Sequence, residues 1–88
     1  MKQVAVTVTN KLGLHARPSA LLVRAATKYR SEFFIEKDGM KVNGKSIMGV
    51  MMLAAECGSH LELIADGVDE DYILTEIKEL LDSGFGED

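Results

Sequence analysis

The sequence is short of several things, and each shortage removes a class of function. There is one cysteine among 88 residues, so no disulfide can form within the chain, which fits a reducing cytosol. No apolar run approaches the roughly 20 residues of a membrane-spanning helix. The opening stretch, MKQVAVTVTN, alternates and lacks the pattern of a secretory signal. A cytoplasmic protein that does not engage a membrane is therefore expected. Basic residues are outnumbered, 10 Lys and Arg against 14 Asp and Glu, for a formal net charge of −4 and a pI of about 5.1. Nucleic-acid binding usually shows a basic face; none is visible, and no nucleic-acid partner is expected. No glycine-rich nucleotide loop occurs, and no cofactor is expected. With two histidines and one cysteine, no metal-ligand spacing of the usual type is found.

Size narrows the choice further. A chain of 88 residues reads as one domain over 1–88. A domain this small buries only roughly 60–65% of its unfolded surface. That leaves little room for a deep pocket serving two substrates. A carrier, binding module or adaptor is favoured over a self-sufficient enzyme.

What is present has clear periodicity. Val4, Val6 and Val8 alternate with Ala5, Thr7 and Thr9, the pattern of a half-buried strand. NKLG follows as a loop. RPSALLVRAATKYR, residues 17–30, reads as a helix with Leu21, Leu22, Ala25 and Ala26 on its apolar stripe. Pro18 suits the first turn, where a missing N–H is no loss. EFFIEK and MKVN are strands joined by Asp38-Gly39, a strong hairpin signal. SIMGVMMLAAE predicts a short helix capped by Ser46, weakened at Gly49. HLELIAD alternates Leu61 and Leu63 against His60, Glu62 and Ile64, a fourth strand. DEDYILTEIKELLDSG predicts a final helix with Asp69 as N-cap, a stripe of Ile73, Ile77, Leu80 and Leu81, and Gly84 at its end. FGED reads as a tail. The order βαββαβα points to an α+β domain, an antiparallel sheet covered on one face by helices.

The chemistry concentrates in LGLHARPS, residues 12–19. An imidazole titrates near neutral pH and can act as a nucleophile. His15 stands just before the predicted helix, where the N–H groups of Ala16 and Arg17 point outward and the helix end carries partial positive charge. Arg17 adds a guanidinium suited to phosphate. Gly13 lets the loop bend, and Pro18 stiffens the turn. These pieces fit a group that accepts a phosphoryl on the ring and hands it on, with another protein as donor. The residues leave a plainer reading open, in which His15 is a loop or cap histidine without chemistry. His60 is expected to be solvated, and a Cys57–histidine pair has no supporting pattern.

GLHARPSA, together with KSIMGVM at 45–51, resembles the HPr family, the histidine-containing phosphocarriers of the bacterial phosphoenolpyruvate-dependent sugar phosphotransferase system. The resemblance spans essentially the whole chain. It implies an open-faced β-sandwich, a four-stranded antiparallel sheet backed by three helices. It implies that His15 takes phosphate from phosphorylated enzyme I on Nδ1 and passes it to IIA domains, a covalent phosphohistidine carrier more than an enzyme. It implies that Arg17 steadies the phosphoryl group.

Ser46 invites a second reading. Phosphate at a helix N-terminus is favoured, yet its charge can repel an acidic partner. In some family members this serine is phosphorylated by an ATP-dependent kinase/phosphorylase, which lowers transfer through the histidine and in some lineages recruits a transcriptional regulator. The plain alternative is a capping serine only. A methionine stripe at helical spacing is more often core than function, but the short helix must leave one face outside, and Met48 and Met51 are the candidates for an exposed patch. By resemblance Ala20, Leu21, Arg24, Ile47, Met48 and Met51 form the docking face for enzyme I and IIA, with Arg17, Arg24 and Lys28 steering acidic partners. Flexible thioethers suit several partners. Two features depart from the sugar branch. Ser19 replaces the alanine of many relatives, its hydroxyl expected to cap or to be solvated. NKLG and the SGFGED tail look like the nitrogen-branch paralogue, so a regulatory phosphorelay not linked to sugar uptake is the alternative output.

Overall fold

A computed structural model describes residues 1–86; Glu87 and Asp88 of the expected tail lie outside the described residues. The elements are β1 (Lys2–Thr7), α1 (Ala16–Ala26), β2 (Glu32–Lys37), β3 (Met40–Asn43), α2 (Ile47–Met52), β4 (His60–Asp66) and α3 (Glu70–Asp82), followed by a 3-10 turn at Gly84–Gly86. The four strands form one antiparallel sheet in the order β1-β4-β2-β3. The helices pack on one face, which is the open-faced arrangement expected from the sequence.

Alternation sets which side chains face the helices. In β1 Val6 is buried, and in β4 Leu61, Leu63 and Ala65 are, while Thr7 and His60 point the other way. Phe33 and Ile35 of β2 complete the sheet's contribution, and Leu22, Ala26, Val50, Ile73, Ile77 and Leu81 close over it from the helices. Burying each of the larger side chains contributes about 1.5–3 kcal/mol. A Leu63→Ala change in the middle of this layer would cost about 2–5 kcal/mol. The β2–β3 hairpin turns at Asp38 and Gly39, with φ of 51° and 83°. Two positive φ values with Lys37 opposite Met40 are the type I′ turn that matches strand twist.

Several expectations are corrected. The first helix begins at Ala16 and stops at Ala26 instead of running to residue 30. Its last carbonyls are taken locally: the Thr27 hydroxyl donates to the Arg24 carbonyl at 3.0 Å. Beyond it Lys28 and Tyr29 both reach Glu76 on α3. That hydrogen bond, with burial behind it, pushes the Tyr29 hydroxyl up to about 12. Leu21 is only half-buried and Val23 is buried in its place; on α3 Leu74 is buried and Leu80 half-buried. Asp69 occupies the N-cap position of α3 but makes no side-chain cap. Its carboxylate accepts instead from the Arg30 and Ser31 amides, both at 2.9 Å, and from the Ser31 hydroxyl. The Ser31 hydroxyl leads these donors in holding the carboxyl down at about 2. Phe85 is no loose tail residue: it is buried in the core. Among the described residues, no helix is long and apolar enough to cross a membrane.

Candidate functional site

His15 is the N-cap residue of α1, with extended backbone at φ −77° and ψ −171°. Its carbonyl receives the first helical hydrogen bond, from Ser19 N at 3.0 Å. The N–H groups of Ala16 and Arg17 therefore have no acceptor within the helix. An N-cap side chain commonly folds back onto such groups. The His15 ring makes no cap hydrogen bond, so the end of α1 presents an imidazole and two helix-end amides on one turn. Arg17 is exposed on that turn and Pro18 is buried beneath it. These are the groups that the sequence names for holding a phosphoryl, and the fold brings them together.

The loop before His15 is tied down strongly. Gly13 has φ +71°, and a Cβ there would sit 2.3 Å from the Ala55 carbonyl oxygen and 2.8 Å from Glu56 Cα. Only glycine fits a left-handed backbone pressed this closely on another strand of chain. The Leu14 amide donates to that same Ala55 carbonyl at 2.8 Å. Asn10 Nδ2 donates to the Gly13 carbonyl at 2.6 Å, and Ser19 Oγ donates to the Leu14 carbonyl at 3.0 Å. Leu14 itself is buried in the core. Ser19 is fully buried, so it neither caps the helix nor meets solvent, against both expectations. Ala55 carries no signal in the sequence, because it meets Leu14 only in the fold.

Ser46 caps α2 as expected: its Oγ accepts from the Gly49 amide at 3.0 Å, and its carbonyl accepts from Val50 N at 2.9 Å. Before it, Lys45 Nζ donates to the Tyr29 carbonyl at 2.7 Å, just past the end of α1. At the other end of α2, Leu53 and Ala54 lead directly into Ala55, which holds Leu14. So α2 runs beside α1 in the opposite sense, its far end at the His15 loop and Ser46 at the other. Six residues at about 1.5 Å each separate the two by about 9 Å along the helix.

Of the six residues of α2 only Val50 is buried. Met48 is 77% exposed, and Ile47, Met51 and Met52 are exposed with it. The common core role for such a stripe does not apply here. Leu12, 73% exposed in the loop before His15, and Met52 extend the apolar surface beyond the residues expected. Among the other named positions Arg24 is exposed, while Ala20 and Leu21 are half-buried. His60 is exposed but not merely solvated, its Nδ1 lying 3.2 Å from the Thr7 hydroxyl across the β1–β4 pair. Cys57 is exposed, and its thiol lies 3.7 Å from the Thr9 carbonyl, with no histidine as partner in that contact.

A family model described as "PTS HPr component phosphorylation site" matches residues 2–83. The chain is 48% identical over 83 residues to the phosphocarrier protein HPr of Treponema pallidum (strain Nichols), covering 94% of each. It is 56% identical over 70 residues to the HPr-like protein Crh of Halalkalibacterium halodurans, covering 80% of this chain and 83% of that one. The crystal structure of HPr-C-His from Thermoanaerobacter tengcongensis superposes with a TM-score of 0.96 at 46% identity, over 100% of this chain and 99% of the other.

Proposed function

Because the chain belongs to the HPr family of phosphotransferase-system phosphocarriers, we propose that His15 is its phosphoryl acceptor, charged by phosphorylated enzyme I and discharged to IIA domains. The observation that carries this reading is the pairing at the start of α1 of an N-cap imidazole that makes no cap bond with the Ala16 and Arg17 amides. Neutral Nδ1 attacks the phosphorus in line; the Nδ1–P bond forms as the bond to the donor breaks. The incoming oxygens carry negative charge, which the two helix-end amides and the Arg17 guanidinium meet. A site at a helix end holds the product without enclosing it, which suits a group that must leave again.

The exposed apolar residues Ile47, Met48 and Met51, with Ala20, Leu21 and Arg24, form the docking face in this reading. Adaptable methionines let one small face serve enzyme I and IIA in turn. Incubation with phosphoenolpyruvate and enzyme I should place one acid-labile phosphate on the wild type and none on His15→Ala. Wild type that takes up no phosphate under these conditions contradicts the proposal. Transfer onward to a sugar-specific IIA domain, against a nitrogen-branch acceptor, distinguishes the sugar branch from the regulatory relay.

Ser46 supports a second layer. A cognate HPr kinase/phosphorylase would phosphorylate it, slowing transfer and creating a surface for a transcriptional regulator. The Ser46 hydroxyl already sits against the Gly49 amide, so a phosphate there would gain a donor while placing charge beside Ile47 and Met48. The likeness to Crh of Bacillus subtilis, described as the catabolite repression HPr, favours such a regulatory role. ATP and the kinase should give acid-stable phosphate that Ser46→Ala lacks; label persisting in that variant contradicts this layer.

A further inference from the structure

All five methionines of the chain, Met1, Met40, Met48, Met51 and Met52, are exposed. None contributes to the buried core, which is built from valine, leucine, isoleucine, alanine and phenylalanine. Three of the five crowd onto α2. Met48 and Met52 stand at i and i+4, with Met51 beside them at i+3, so the three thioethers are neighbours on the helix surface. The supports of α2 are of another kind: Val50 is its buried residue, and the Ser46 hydroxyl caps it on the Gly49 amide. Peroxide leaves both of these groups unchanged.

We propose that the Met48, Met51 and Met52 cluster is a reversible oxidation site, where peroxide converts the thioethers to sulfoxides and weakens docking of the carrier to its phosphoryl donor. The proposal rests on the reading of α2 as part of the docking face. Peroxide reaches a sulfur through solvent, and Met48 is 77% and Met52 66% exposed. Each thioether sulfur attacks one peroxide oxygen and gives up two electrons. The S–O bond forms as the O–O bond breaks, and the other oxygen leaves as water. Methionine sulfoxide reductases reverse the step, two thiols becoming a disulfide as the oxygen departs as water. A sulfoxide turns an adaptable apolar side chain into a polar one, which disturbs Met-rich interfaces. Against a partner surface shaped for thioethers, its oxygen is buried without a donor. Among the described residues the core holds no sulfur, so the fold and the His15 loop survive the change, and what is lost is recognition. Phosphoryl flow through the carrier thereby falls under oxidant and recovers on repair.

The test treats the full-length chain with hydrogen peroxide, removes the oxidant, and follows charging by phosphorylated enzyme I over a range of carrier concentrations. Every protein carries Cys57→Ser, because that exposed thiol would oxidise as well. Trypsin places Met48, Met51 and Met52 on one peptide, residues 46–78, apart from Met40 on 38–41 and Met1 on 1–2, so mass spectrometry locates the added oxygens. Oxygen on 46–78 should raise KM about tenfold with kcat within about twofold. The two reductases, one for each sulfoxide epimer, should restore the starting KM. With Met48→Leu, Met51→Leu and Met52→Leu combined, treated and untreated samples of that variant should share one KM. Peptide 46–78 without added oxygen, a KM unmoved once it is oxidised, a loss that the reductases do not reverse, or an equal loss in the triple variant overturns the proposal. Untreated Met48→Glu separates it from the docking reading beneath it. A raised KM there, beside oxidised parent at its starting KM, overturns the oxidation site alone; an unmoved KM in both removes the docking face as well. Untreated parent that takes no phosphate removes the carrier reading and this proposal with it.

Discussion

Two of the helices lie side by side, and their first side chains do opposite things. At α2 the Ser46 hydroxyl folds back and accepts from the Gly49 amide. At α1 the His15 ring makes no such bond. The support behind the two differs as well. Ser46 rests on a helix of six residues with one buried side chain, whereas the loop into His15 is held by Asn10, Ala55 and Ser19. Helix stability is thus supplied at α2 by the cap, and at α1 by bonds to the loop before it, one of them from Leu14 to Ala55 far along the chain. At the third helix start, Asp69 is likewise diverted from capping, toward Ser31.

The sharpest way to break this contrast is Gly13→Ala. A methyl would be forced to within 2.3 Å of the Ala55 oxygen at φ +71°. The strained backbone alone costs about 1–3 kcal/mol, and the displaced seam adds to it. Urea unfolding should show a loss of at least about 2 kcal/mol, with phosphate acceptance falling alongside; a fully stable, fully active Gly13→Ala would contradict the anchoring of the loop.

Acid tests the third helix start. Asp69 titrates near 2 in the fold against 3.8 for the unperturbed group. A depressed folded value means the carboxylate's contribution is complete above the unfolded pKa and disappears as pH falls through the folded one. Urea midpoints of the wild type should therefore decline from about pH 4.5 toward pH 2, and Asp69→Asn should be less stable at neutral pH with a shallower acid limb. Parallel acid limbs in the two proteins would show that the Ser31 contact does not hold the carboxylate.

Much of the fold is legible in the sequence, because period-2 strands, the Asp38-Gly39 turn and the Ser46 cap are local signals. The residues proposed for the phosphoryl site are contiguous, all lying within residues 13–18. What holds them is not legible. Ser19 meets Leu14 only through the first turn of α1, and Ala55 meets Leu14 across forty-one residues of chain. Asp69 looks like a cap because its neighbours to the C-terminal side are helical, yet its best donors arrive from residues 30 and 31. Met48 and Met51 are exposed as expected, because a six-residue helix that buries Val50 leaves its other face outside.

Smaller effects sharpen the comparison of the two caps. Ser46→Ala deletes the cap and should cost about 1 kcal/mol, read as a lower urea midpoint with an unchanged slope; no change would mean the hydroxyl does not support α2. The reciprocal change, His15→Asn, supplies α1 with a capping side chain and should raise stability by about 0.5–1 kcal/mol while ending phosphate acceptance. A loss of stability there would contradict the view that the N-cap position of α1 is kept for chemistry at the expense of the helix.

The central claim, that the imidazole at the start of α1 is the phosphoryl acceptor, can be observed directly because the chain has two histidines. Nitrogen-15 histidine labelling, followed by NMR before and after charging with phosphoenolpyruvate and enzyme I, reports on both rings at once. The account predicts that the Nδ1 resonance of His15 shifts on phosphorylation, while the ring of His60, bonded to Thr7 on the far face of the sheet, stays in place. A shift at His60 instead, or at neither ring while phosphate is incorporated, would contradict it.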